Sequence, residues 1–367
     1  MVCPSYPEID IAEWGELLEE QLQGKRYPLS GTIELTERCN LSCVHCYINQ
    51  PGNSPAARSV ELTTDQVKDI IDQVAAAGCL FLTITGGEPL LRTDFAEIYR
   101  HAKHNGLLIN LFTNATMVSA PIADLLAELP PRAIDITLYG ATPHTYERVT
   151  RLPGSFQKAI QGIRLLVERD LPVHLKSVLL TINAHELPEM RALSEELGFE
   201  FRFDSLLWPR IDGSTTPLHY QLPLEEVLRL DQQDPERFAE IARVVEAFGG
   251  QVLRDQSVYG CGAGYRSFHI DSAGQMSICA MSRTHTFDLT RFGFDECWEQ
   301  LGSIRQQKRT QQSPCLTCTE AQLCTQCPGW SQAVHGDDET VVEFVCDLAR
   351  MRVGQHQHCQ FQHAEEF

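Results

Sequence analysis

The sequence predicts an α/β chain, a partial (β/α)6 barrel followed by a cysteine-rich extension. Short apolar runs alternate with longer helix-like stretches six times between about Thr32 and Leu206, the pattern of repeated β-α units around a parallel sheet. Six units are short of the eight that close a TIM barrel, so the sheet is a partial, TIM-like one with its functional motifs at the strand ends. Beyond about residue 255 the character changes to short strands and dense cysteines. A region so rich in loops has little core of its own, and metal or cluster bonds must hold it together.

Taken in order, residues 1–29 make an N-terminal segment in which Glu8 to Gln23 reads as an acidic amphipathic helix, with Ile11, Trp14, Leu17, Leu18 and Leu22 on one face. The barrel is placed at residues 30–230. Its strands are expected at Thr32 to Leu35, Leu80 to Thr85, Leu107 to Phe112, Ala133 to Leu138, Val173 to Leu180 and Phe201 to Leu206. Between them lie helices such as Thr64 to Ala77, opened by a Thr cap and stopped at Gly78, and Ser155 to Glu168, with apolar residues at helical spacing. Pro209 to Pro217 is rich in Gly, Pro, Ser and Thr and reads as a loop, followed by helical segments from Leu224 to Phe248. Residues 231–254 are the connector, marked at its end by Gly249 and Gly250. The extension is placed at 255–350, with a hairpin in which Phe268 to Asp271 and Gln275 to Cys279 flank Ser272-Ala273-Gly274. Residues 351–367 form a polar tail, where His356, His358, Cys359 and His363 belong to a solvated terminus.

Composition narrows the function. Thirty Lys and Arg against 49 Asp and Glu leave a formal charge of −19, a surface that repels nucleic acid and anionic lipid. The sequence has no long apolar span and no basic, apolar secretory start, so the expected location is cytoplasmic, with no nucleic acid and no membrane as partner. In a reducing compartment, 14 cysteines point to metal or redox use rather than disulfides. Ten of them fall into two sets: Cys39, Cys43 and Cys46, then Cys261, Cys279, Cys315, Cys318, Cys324, Cys327 and Cys346. Cys79, at the start of an apolar strand, reads as an inert buried thiol.

Cys39-x3-Cys43-x2-Cys46 directly follows the first expected strand, so three thiolates gather at the mouth of the barrel. A cubane 4Fe–4S cluster held by three protein ligands keeps one iron open to a small molecule; a zinc site with His45 as fourth ligand is the alternative. Gly86-Gly87-Glu88-Pro89 follows the second strand at the same mouth. Its glycines permit close backbone approach to a ligand, and Glu88 can accept hydrogen bonds from an ammonium group.

Together these two motifs resemble the signature of the radical S-adenosylmethionine (SAM) superfamily. The resemblance implies that Cys39, Cys43 and Cys46 hold a 4Fe–4S cluster whose open iron takes the amino and carboxylate groups of SAM, and that the Gly86 to Pro89 motif receives the amino group. Reduction then splits the sulfonium into methionine and a 5′-deoxyadenosyl radical, which abstracts hydrogen from substrate. Where relatives carry an aromatic residue near the adenine, this sequence has His45, with Tyr47 just beyond. Thr113-Asn114-Ala115 resembles the family's T-N-G and puts Asn114 among the SAM contacts. Thr137-Leu138-Tyr139-Gly140 stands where relatives often have S-L-D-G, so Thr137 can supply a hydroxyl while Tyr139 replaces an acid. Arg148 is a candidate for the SAM carboxylate, with a surface helix arginine as the other reading. No catalytic acid or base is assigned.

The second set resembles the SPASM extension of one radical SAM branch, which holds two auxiliary 4Fe–4S clusters; one short gap is two residues where the usual pattern has three. Read alone, its two Cys-x2-Cys pairs also suit zinc ribbons. The resemblance gives Cys315, Cys318, Cys324 and Cys346 to one cluster. Cys261, Cys279 and Cys327 go to the other, which is one thiolate short and is expected to have an open iron unless another cysteine, for example Cys297, reaches it.

The resemblance thus implies three 4Fe–4S clusters with SAM, and a flavodoxin or ferredoxin-type electron donor. It also implies an oxidoreductase or maturase whose substrate is a ribosomally made peptide or protein undergoing oxidative crosslinking, formylglycine formation or epimerisation. Maturation of a tetrapyrrole or another redox cofactor is the alternative enzyme, and a non-catalytic iron–sulfur or zinc scaffold the alternative of another class. Because 38 residues precede Cys39, where many peptide-modifying relatives have a leader-binding domain, a separate leader-recognition protein is expected.

Overall fold

The computed structural model describes residue 17 and residues 20–48, 50–248, 251–252 and 256–364, with side chains as far as 355. All six expected barrel strands form, as β1 (Ser30–Glu34), β4 (Phe81–Thr85), β5 (Leu108–Thr113), β6 (Ala133–Thr137), β7 (Val173–Val178) and β8 (Phe201–Asp204). Two short strands absent from the sequence reading, β2 (Arg38–Cys39) and β3 (Gln50–Pro51), pair beside the first cysteines. The helix Thr64–Ala76 starts from a capping box in which Thr63, one residue earlier than expected, and Gln66 satisfy each other's backbone.

Register explains how a strand can be buried on one face and polar on the other. Ile33, Ile84, Ile109, Leu111, Ile134, Ile136 and Leu175 share one parity and lie fully buried beneath the helices. The opposite parity carries Thr32, Glu34, Thr83, Asn110, Asp135, Thr137 and Lys176. A parallel strand covered by protein on both faces would be apolar throughout, so this second face lines a polar lumen.

The extension is less separate than the sequence suggests. The expected hairpin exists as β9 (Ser267–Ile270) and β10 (Gln275–Cys279), and β11 (Ser282–Asp288) follows. β9 pairs in parallel with β1, giving one nine-stranded sheet ordered β11-β10-β9-β1-β4-β5-β6-β7-β8. Phe268, Ile270, Met276, Ile278, Phe294, Trp298 and Leu301 therefore belong to the main core. What the extension has of its own is a small cluster around Trp330, Val342 and Val345. Trp208, from the segment after β8, stacks on Trp330 with ring centroids 4.2 Å apart, so the two ends of the open sheet meet there.

One further sequence expectation needs revision. Where a polar tail was expected from residue 351, the helix Glu343–Ala364 continues; Arg352 anchors it, its fork 2.8 Å from the buried Asp231 of the helix Leu224–Gln233. The side chains of His356, His358, Cys359 and His363 lie outside the described residues, as does the expected helix from Glu8 except at Leu17 and from Glu20 on. Among the described residues no helix is long and apolar enough to cross a membrane.

Candidate active site

The three-cysteine loop is tied down from every side. Ahead of it, Arg38 forks onto Glu61 (2.6 and 2.9 Å) and reaches Gly52 O at 3.1 Å. Within it, Ser42 N and Val44 N donate to Thr150 O and Val149 O, both at 3.0 Å, at the end of the helix Pro143–Thr150. Behind it, Arg210 Nη1 donates to Cys46 O at 3.1 Å and Ile211 N to Tyr47 O at 3.0 Å, so the expected loop after β8 straps the motif down.

Inside this frame Cys39 is buried and Cys43 and Cys46 are half-buried, near enough for their charges to interact. Burial pushes Cys39 up to about 12, and charge on nearby Cys46 adds to the rise. Cys43 is likewise raised by burial, then by Cys46 and Cys39, while the Tyr139 hydroxyl works against the rise. Sulfurs that repel one another's charge need a cationic partner to become thiolates together, which a cluster provides.

The Gly86-Gly87 segment turns out to face this loop. Gly86 takes φ 141°, and a Cβ there would sit 2.2 Å from Thr36 O; one on Gly87 would sit 2.3 Å from Arg38 O. The close approach that only glycine allows is therefore to the backbone leading into Cys39, fixed by Gly87 N to Thr36 O (2.6 Å) and Glu88 N to Arg38 O (2.9 Å). Glu88 is fully buried and accepts from Thr113 Oγ1 (2.8 Å), Asn114 N (2.8 Å) and Leu90 N (3.1 Å). Burial raises it to about 7 against those donors. With the carboxylate committed, carbonyl oxygens are what this segment has left to offer an ammonium group. Pro89 is buried and opens the short helix Pro89–Leu91.

The remaining sequence candidates separate into those near the cysteines and those at the rim. Asn114 Nδ2 donates to Asn40 Oδ1 (3.0 Å) and points at Cys39 Sγ (3.7 Å). Ala115 takes φ 60° where the family pattern has glycine. His45 lies against Tyr139, ring centroids 5.1 Å apart, and burial lowers its imidazole to about 4. Its Nδ1 is buried without a partner among the described residues. Tyr47 is raised by burial and then by Glu34, which its hydroxyl meets. Thr137 ends β6 beside Lys176 on the lumen face. Arg148 is exposed on the last turn of its helix.

The lumen holds groups that the motif reading did not single out. Glu34 is forked by Arg283 of β11 (2.6 and 3.0 Å), with His269 of β9 3.7 Å away. Lys176 sits 3.4 Å above the Phe112 ring and 3.6 Å from Asp135, which Arg202 also approaches at 3.8 Å. The alternation of polar and apolar residues in Thr32-Ile33-Glu34 and His174-Leu175-Lys176 is the sequence signal that would have found them.

In the extension the seven cysteines form two groups. Burial raises Cys346 to about 11, with Cys324, Cys315 and Cys318 adding to it. Burial raises Cys327 to about 11, with Cys279 and Cys261 adding to it. Cys297 is fully buried in the helix Phe294–Arg305 and feels Glu296 and Asp288 rather than the cysteine groups. Cys79 is buried with its thiol directed at the Leu29 and Phe81 carbonyls. Among the described residues, no three His, Cys, Asp or Glu side chains converge as the ligands of one metal ion do.

Comparison with known proteins decides the family. The profile of the radical SAM superfamily matches residues 33–193, from β1 into the helix Leu187–Glu196. Residues 33–193 are a radical SAM domain. It is 27% identical over 324 residues to the AdoMet-dependent heme synthase of Methanosarcina barkeri, covering 83% of this chain and 92% of that one. It is 28% identical over 315 residues to the PqqA peptide cyclase of Rhodopseudomonas palustris, covering 79% of each. In fold it is similar to Streptococcus suis SuiB bound to the precursor peptide SuiA, with a TM-score of 0.65 at 16% identity over 88% of this chain and 79% of that one. This radical SAM chain is thus an enzyme that uses SAM with a 4Fe–4S cluster, and it carries its cysteine-rich extension on the edge of the barrel sheet.

Proposed function

We propose that this radical SAM enzyme is a maturase that oxidatively modifies a ribosomally made peptide or protein, by crosslinking, formylglycine formation or epimerisation. The observation that carries the reading is the placement of two cysteine groups beside a charged lumen whose mouth holds Cys39, Cys43 and Cys46. The PqqA peptide cyclase and SuiB, similar in sequence and in fold respectively, support a peptide substrate. A second reading, tetrapyrrole maturation, is favoured by the heme synthase match, which extends over 92% of that protein.

Cys39, Cys43 and Cys46 would hold the SAM-cleaving cluster, and the extension two auxiliary clusters, making three. When bound, the first cluster with SAM supplies the 5′-deoxyadenosyl radical that abstracts hydrogen. The chain does the rest. The Gly86 and Gly87 carbonyls, Asn114, Thr137 and the His45–Tyr139 pair would contact SAM, with Arg148 at the rim. The strap at Arg210 and Ile211 holds the backbone of Cys46 and Tyr47 in place, so the thiols are oriented before a cluster binds. A flavodoxin or ferredoxin-type donor and a separate leader-recognition protein complete the system.

Incubation with a candidate peptide or an iron porphyrin separates the two readings by mass spectrometry. In D2O, a peptide that loses two hydrogens or takes up one deuterium in step with 5′-deoxyadenosine release supports the first; a porphyrin side chain losing carbon dioxide overturns it in favour of the second. Lys176 is placed to hold a substrate carboxylate. Lys176→Met is expected to lower substrate conversion about tenfold, the worth of one charged hydrogen bond, while leaving substrate-free 5′-deoxyadenosine release unchanged. Its fold should survive because Asp135 keeps Arg202.

A further inference from the structure

Buried arginines in this chain are forked to acids. Arg38 meets Glu61, Arg92 meets Asp94 and Arg352 meets Asp231, all within 2.8 Å. Arg309 departs from this rule. It is only 9% exposed, yet among the described residues it has no carboxylate within 4 Å. Its Nη2 donates to Val258 O at 3.2 Å, and its Nε is buried without a partner. Arg305, the last residue of the helix Phe294–Arg305 and four residues earlier in the chain, is half-buried: its Nη2 donates to Cys261 O at 3.1 Å and its Nε is buried with no partner among the described residues.

Leaving a guanidinium unpaired in the interior costs several kcal/mol, and in a chain with 49 acidic side chains a counter-ion was not hard to supply. Both arginines line a cavity of about 580 Å3, together with Tyr259, Cys261, Cys324 and Cys327. Among the described residues, Cys261 and Cys327 belong to the group that has three thiols where its companion has four. An unpaired cation pair and a donor set short of one anionic ligand thus share one cavity.

We propose that this cavity binds a carboxylate, which pairs with Arg305 and Arg309 and serves as the oxygen ligand completing the Cys261, Cys279 and Cys327 set. The inference rests on the reading that those three cysteines hold an auxiliary cluster. The carboxylate comes either from a free small acid or from the end of a peptide. No electron or group transfer is involved. The ion pair forms as bound carboxylate replaces water, and the arginines remain protonated.

The test is electron paramagnetic resonance of the anaerobically reconstituted, reduced full chain, titrated with 13C-acetate and with a short peptide bearing a free or an amidated C-terminus. One auxiliary signal is expected to change saturably, with a 13C coupling for acetate or with dependence on the free peptide carboxylate. Either response supports the site and names its source. Arg309→Gln and, independently, Arg305→Gln should weaken binding at least tenfold while iron content and 5′-deoxyadenosine release stay as in the parent. An auxiliary signal indifferent to every probe, or equally responsive in both variants, overturns the inference and leaves the cluster reading intact. If Arg309→Gln does not fold, Arg305→Gln, further from full burial, carries the comparison. A parent chain that binds the first cluster but shows no auxiliary signal overturns the cluster reading, and the inference with it.

Discussion

Arg283→Ala should destabilise the protein by about 3–5 kcal/mol at neutral pH, the cost of leaving a buried carboxylate without its ion-pair partner. Glu34 is fully buried, and burial alone would push its carboxyl up. Its His269 and Arg283 neighbours more than offset that and leave it below the ordinary value of 4.5. At 3.7 Å the His269 contact is too long for a hydrogen bond, so the Arg283 fork at 2.6 and 3.0 Å carries most of the effect. The sign of the pH dependence follows. In the parent, a lowered carboxyl contributes stability that is present above its ordinary value and lost as pH falls through its folded value. In the variant burial prevails and the carboxyl is raised, so its penalty is absent below the ordinary value and grows as pH rises through it. Denaturant unfolding of parent and variant should therefore differ more at pH 7 than at pH 5; an equal difference at both would show that Glu34 is not the group responsible.

Cys43→Ala should abolish 5′-deoxyadenosine formation and lower iron content by about four per chain, one cubane's worth, with the iron of the extension retained. Cys43 is the informative choice because it lies between its two companions in the motif and its thiol interacts with both. Cys79→Ala serves as the control, since its thiol meets only backbone carbonyls on the far side of the strand, and should change neither quantity. Equal losses in both variants would point to a general weakening of the fold.

Much of this was legible in the sequence because local signals and tertiary demands agree. Each barrel strand appears as an apolar run, and each interstrand segment has a helix with recognisable ends, such as Thr63 and Gln66 before Val67. The division of the extension's cysteines into two ligand sets came from the family resemblance; their spacing alone does not supply it. Less was legible where long-range pairing decides. Nothing local tells β9 to join β1 across more than 200 residues, so the extension read as a separate unit although its first strands complete the barrel sheet. Gly86 and Gly87 were read as making room for a ligand because their neighbour, the backbone from Thr36 to Arg38, is distant in sequence. The lumen charges were missed for a different reason: scanning for apolar runs passes over the polar residues between them, and Glu34, Asp135 and Lys176 hold those alternate positions.

The account depends above all on three clusters in one chain, one of them able to cleave SAM. The most direct measurement is iron and 5′-deoxyadenosine on the same anaerobically reconstituted sample, with dithionite and SAM. About 12 irons per chain together with 5′-deoxyadenosine release is the predicted result, four irons for each cubane. Stoichiometric zinc in the extension, or full iron loading without SAM cleavage, would contradict it.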